Sequence, residues 1–208
     1  MLSSEYINVA YKHLSSCMSL LLAHSKNGSS QYETNVLLEL WYLAGYVLEG
    51  ITVYFIYKND DWDEQDDIKA IYNSAFSLNT GVDYYKNRDI YPGQLFKQDK
   101  NTACQSATRQ HFGPYAYNIH SHGFQSIVKD KFRVDARFDN LPYFGNSIRV
   151  DADVEFLIDN WNPKVRYAYF DGTQFKCEGT SVPQLNHDVI KRLLFTCHDI
   201  YTKILLVV

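Results

Sequence analysis

Glu49 stands deep in an apolar run of this chain, where a carboxylate needs a partner or a special environment. It could pack its stem and reach Arg166, His122 or a tyrosine. It could also be the polar group at the base of a pocket, beside Tyr46. His120 and His122 form an H-x-H pair that would face one side of a strand and could bind a metal. In the loop read here they have no third ligand nearby in sequence. Orienting Glu49 or Tyr46, or capping the next helix, is the expected use, and no metal is expected. Arg166 and Tyr167 could anchor a phosphate by charge and a base by stacking. The competing reading is an ion pair beside a core tyrosine. Lys129, Lys131, Arg133 and Arg137 cluster in sequence, diluted by Asp130 and Asp135, and read as a solvated face or a nucleic-acid contact.

Helices must position these groups. Leu37, Trp41, Ala44, Leu48, Ile51 and Phe55 recur at alternating steps of four and three, with Leu40, Leu43, Val47, Gly50 and Tyr54 as a second row. A helix over 36–57, apolar around most of its circumference, must be central. Ile7, Ala10, Leu14, Cys17, Met18, Leu21 and Leu22 give a first helix over 5–24. The breaker-rich turn between the two favours an antiparallel hairpin. Short helices are predicted over 68–78, 124–132 and 150–160, the last with Val154, Phe156, Leu157 and Trp161 as its apolar residues. Asp171-Gly172 marks a small hairpin within 166–177. A last helix over 184–206, capped by Asn186 or Ser181, carries a broad apolar face. Residues 79–117 read as an irregular insertion. The acidic run 59–67 suits the N-terminal end of the helix that follows it and lacks the spacing of a calcium loop. The expected fold is all-α: an antiparallel helical bundle in one domain over 1–208, with at most one small hairpin.

Twenty Lys and Arg stand against 24 Asp and Glu among 208 residues, which argues against a non-specific nucleic-acid binder. Cys17, Cys104, Cys177 and Cys197 are scattered and form no C-x-x-C pair, so zinc or a redox dithiol is not expected. With no signal-peptide pattern, they read as reduced core residues of a cytoplasmic protein. Glu39 and Glu49 make a membrane span of the central helix costly. Phosphate-loop, dinucleotide, metalloprotease and serine-hydrolase motifs are absent, and no cofactor is expected.

The stretch Tyr42-Leu-Ala-Gly-Tyr-Val-Leu-Glu-Gly50 resembles the second helix of HEPN domains, helical modules of prokaryotes and higher eukaryotes linked to nucleotide binding. The first helix fits the family's first helix. Asn118-Ile-His-Ser-His-Gly-Phe124 is partly similar to the stretch before its third helix, with Gly123 and Phe124 in place of an acidic residue and leucine. Trp161-Asn-Pro-Lys-Val-Arg-Tyr167 resembles the stretch before its last long helix. The resemblance implies a helical bundle whose Ala44-Gly45 pair lets helices approach closely. It also implies frequent homodimerisation and sometimes a nucleotidyltransferase partner.

Many members of that family are metal-independent ribonucleases with an R-x(4–6)-H motif. Arg192-Leu-Leu-Phe-Thr-Cys-His198 is similar, although Leu193 replaces the usual polar residue. Arg192 would hold the phosphate or its developing charge, and His198 would act as acid or base. In a regular helix the two are about 9 Å apart in rise and about 120° in rotation, so they could border one groove without touching. The expectation is therefore a domain that binds a nucleotide, RNA or a nucleotidyltransferase partner without robust catalysis. A dimeric ribonuclease using Arg192 and His198, and a non-catalytic oligomerisation protein, are the alternatives.

Overall fold

A computed structural model describes residues 3–24, 30–59, 124–177 and 185–207. The acidic run, the predicted 68–78 helix, the insertion at 79–117, Cys104, Ser181, His120 and His122 lie outside these residues.

Three long helices carry the core: α1 (Ser3–His24), α2 (Ser30–Asn59) and α5 (His187–Val207). Between α2 and α5 the described residues form short pieces. These are α3 (Phe124–Ile127), running into a π turn over Val128–Phe132, then α4 (Ala152–Asp159) and a 3-10 turn over Pro163–Tyr167. The described residues are mostly helical, and the sheet among them is a single antiparallel pair, β1 (Tyr169–Phe170) and β2 (Phe175–Lys176). The fold is the expected all-α bundle with a small hairpin.

The chemistry of each boundary explains where it falls. Asp151 caps α4 by accepting from the Asp153 amide, and Asn186 caps α5 by accepting from the Val189 amide at 3.0 Å. Asn162 caps the 3-10 turn, with Pro163 supplying the fixed φ of a first turn. At the hairpin, Asp171 accepts from the amides of Thr173 and Gln174, while Gly172 takes a left-handed φ of 99°. Lys176 lies 2.6 Å from Asp171, and with those bonds it holds the Asp171 carboxyl well below the usual carboxylate range.

Both predicted rows of α2 are buried, apart from half-buried Leu43. Residues 33–55 of this helix are long and apolar enough to cross a membrane, and 72% of the most apolar window is covered by the rest of the protein. α1 runs antiparallel to α2, with His24 near Glu33 (3.7 Å) at one end and Ala10 against Gly50 toward the other. A Cβ at Gly50 would stand 2.9 Å from the Tyr6 carbonyl oxygen, so this glycine lets the two backbones approach. α5 is antiparallel to α1, as the Tyr11–Tyr201 and His24–His187 ring contacts require. The Cys197 thiol of α5 meets the Ala44 carbonyl of α2. Leu22 and Phe156, both predicted to face the core, are 62% and 42% exposed. In α4 the predicted Val154 and Leu157 are buried, together with Ile158.

An aromatic cluster fastens the 124–145 segment to the far end of α2. Phe55 stacks edge-on against Phe138 (4.6 Å) and contacts Phe132 (5.0 Å), which in turn meets Phe144 (5.1 Å). Such pairs add roughly 1 kcal/mol each beyond the apolar area they bury. Three residues of the basic cluster read from sequence are engaged in ion pairs. Lys129 pairs with Asp159, Arg133 with Glu155 and Arg137 with Asp135.

Candidate functional site

Trp161 organises the surface beside Tyr46 and Glu49. Its indole fills the notch left by Gly45: a Cβ there would lie 1.9 Å from the indole. The close approach that Ala44-Gly45 permits is therefore to this side chain, while the approach of α1 occurs at Gly50. The Trp161 N–H donates to the Tyr42 carbonyl at 3.1 Å. Gln125 donates to the carbonyls of both Ile158 and Trp161, tying α3 to the end of α4. From α2, the Trp41 indole donates to the Leu157 carbonyl at 3.0 Å. The segment that leaves α4 is thus held at several backbone points. The buried Val165 side chain anchors the 3-10 turn that follows.

Beyond that anchor the chain turns outward. Arg166 is exposed, and Tyr167 is 66% exposed, so Tyr167 is not a core residue. The Arg166 guanidinium lies over the Tyr167 ring, 4.6 Å from its centroid. Tyr169, two residues on, is 57% exposed. These exposed aromatics and their cation extend from a rigid foot.

Tyr46 lies on the α2 side of the same neighbourhood. Its ring is edge-on to both Tyr42 (5.0 Å) and Trp161 (5.2 Å), and His13 of α1 stands 6.0 Å away. Burial holds the Tyr46 hydroxyl well above the ordinary tyrosine range, helped by its hydrogen bond with the Tyr42 hydroxyl and by the nearby charge of Glu49. The 3-10 turn that carries Arg166 packs against α2, and the Arg166 charge acts in the opposite direction on the Tyr46 hydroxyl. Glu49 is 8% exposed, as its apolar surroundings in sequence implied. Tyr46 and Glu49 thus lie on α2, the helix against which the turn bearing Arg166 and Tyr167 packs. Tyr46 is half-buried and edge-on to Trp161, and the Arg166–Tyr167 pair is exposed.

Arg192 and His198 lie on α5. The Arg192 guanidinium reaches the start of α4, where it pairs with Asp151 (2.7 Å) and Asp153 (3.4 Å). His198 is exposed, and its backbone carbonyl accepts from Thr202. Among the described residues, no three His, Cys, Asp or Glu side chains are grouped to hold a metal. The roles of Trp161, Tyr42 and His13 escaped sequence reasoning. For Trp161 the available signal was the pairing of a bulky residue with a glycine in an otherwise bulky helix.

No family model matches this chain, and neither the curated proteins nor the solved structures contain a match.

Proposed function

We propose that this chain is a HEPN-like helical domain that binds a nucleotide or single-stranded RNA at the Arg166–Tyr167 pair, without robust catalysis of its own. The carrying observation is the exposed Tyr167 ring with a guanidinium 4.6 Å from its centroid, on a turn anchored by Trp161 and Val165. Exposed aromatics give a base a stacking face, and an adjacent arginine supplies charge for its phosphate. Tyr169 offers a second ring for a neighbouring base. The net negative charge favours such a local contact over broad backbone binding. Arg192, already paired with two carboxylates, supports a binding module over a nuclease.

Isothermal titration against a nucleotide panel and short single-stranded RNAs tests the reading. Tyr167→Ala should weaken binding by about 1–3 kcal/mol, the usual worth of one stacked base. Arg166→Ala should weaken it and flatten its salt dependence. Absence of binding below millimolar in the unaltered protein, or affinity unchanged in Tyr167→Ala, would sink the proposal.

A further inference from the structure

A cavity of about 380 Å³ lies between the 133–150 segment and α4, at the small end of the range for ligand pockets. Arg133, Tyr143, Asn146, Arg149 and Glu155 line it, with Ile148 and Val150 as its apolar wall. Two guanidinium groups face one carboxylate. Arg133 is spoken for: its Nε donates to the Tyr143 carbonyl at 3.1 Å and its terminal nitrogen lies 3.4 Å from Glu155 Oε1. Its guanidinium also sits over the Tyr143 ring, at 5.0 Å. Arg149 is exposed and makes no hydrogen bond or ion pair among the described residues.

The frame around that arginine is rigid. Asn146 donates to the Arg133 carbonyl. Tyr143 is buried in a left-handed conformation (φ 64°), which a bulky side chain adopts only under constraint from its surroundings. Its hydroxyl donates to Asp159 at 2.7 Å. At Gly145 a Cβ would stand 2.0 Å from the Phe138 carbonyl oxygen, so the loop is pressed against the short 3-10 turn over Ala136–Phe138. A strained loop held at several points, presenting an unpaired arginine to a polar cavity, is preorganised for an oxyanion.

We propose that this cavity binds the phosphate monoester of a small hydroxylated molecule. Arg149 grips the phosphate with its guanidinium fork, and Arg133 adds its charge from a fixed position. Only Oε1 of Glu155 meets Arg133, which leaves Oε2 to accept a hydroxyl of the ligand. Ile148 and Val150 cover its carbon skeleton.

Ribose 5-phosphate, inorganic phosphate and ribose are suitable probes, because none carries a base that could stack on Tyr167. Calorimetric titration of the full chain should show saturable binding of ribose 5-phosphate, weaker binding of inorganic phosphate and none of ribose. Arg149→Ala should weaken ribose 5-phosphate by about tenfold or more, the usual effect of losing a charge-assisted bond. Arg149→Lys should fall between, since it keeps the charge and loses the fork. Arg149 is exposed and unpaired, so its replacement leaves the fold intact, which a thermal melt verifies. Tyr167→Ala should bind ribose 5-phosphate as the unaltered chain does. No saturable binding of the two phosphate probes, equal affinity in Arg149→Ala, or loss in Tyr167→Ala would each overturn the proposal.

Discussion

Trp161 occupies the space that a side chain at Gly45 would need: a Cβ there would stand 1.9 Å from one indole carbon and 2.0 Å from the indole nitrogen. The two residues are far apart in sequence, and their fit sets where the Arg166–Tyr167 turn leaves the bundle. Gly45→Ala should therefore destabilise by at least about 2 kcal/mol, as overpacking of a rigid group does. Trp161→Ala should cost about 3–5 kcal/mol. In a double-mutant cycle by urea denaturation, Gly45→Ala in the Trp161→Ala background should cost little, because the clash has gone. Additive losses would mean that the two residues act independently.

His13 gives stability a pH dependence. Burial, and then the neighbouring Lys12 charge, hold its imidazole below the ordinary 6.5. The unfolded chain thus takes up the proton first as pH falls. The contribution is fully present above 6.5 and is lost as pH drops through the depressed folded value. Denaturation midpoints should fall between about pH 7 and about pH 5, and His13→Gln should flatten that slope. An equal slope in both proteins would assign the effect to other groups.

Two thiols should be inert in the native state. Burial pushes the Cys17 thiol up to about 12, and burial also raises that of Cys197 in the core of α5. Half-buried Cys177 is the accessible contrast. Native labelling with a thiol reagent, read by peptide mass spectrometry, should modify Cys177 and spare Cys17 and Cys197 until denaturant is added. Labelling of Cys17 or Cys197 at the rate of Cys177 would contradict the burial described.

Arg192 should behave as a joint between α5 and the start of α4. Its partners are largely exposed, so Arg192→Ala should cost no more than about 1 kcal/mol, with the difference shrinking at high salt. Short RNA incubated with the protein in EDTA should remain intact. Cleavage that disappears in His198→Ala would instead establish a ribonuclease.

The helices were legible because their burial follows local periodicity. Leu37, Trp41, Ala44, Leu48, Ile51 and Phe55 form one stripe whatever they pack against, and all are buried. Caps and turns were equally local: Asn186 starts α5, and Asp171-Gly172 turns the hairpin. Where two elements compete for one space, local pattern was silent. Phe156 sits in a helix of apolar neighbours yet faces outward, because α4 packs its other side against α5, with the Trp41 indole of α2 bonded to its Leu157 carbonyl.

By itself the sequence determined a helical chain with a central α2, a buried carboxylate at Glu49 and an arginine–tyrosine pair at 166–167. Only the tertiary structure decided that Tyr167 is exposed, that Trp161 seats on Gly45, that Arg192 meets Asp151, and that Arg149 borders a cavity beside a strained Tyr143. Periodicity is a property of the backbone and can be read residue by residue. Exposure, ion-pair choice and cavity shape depend on how separate segments meet in space, up to 119 residues apart at Trp161 and Tyr42, which no local spacing encodes.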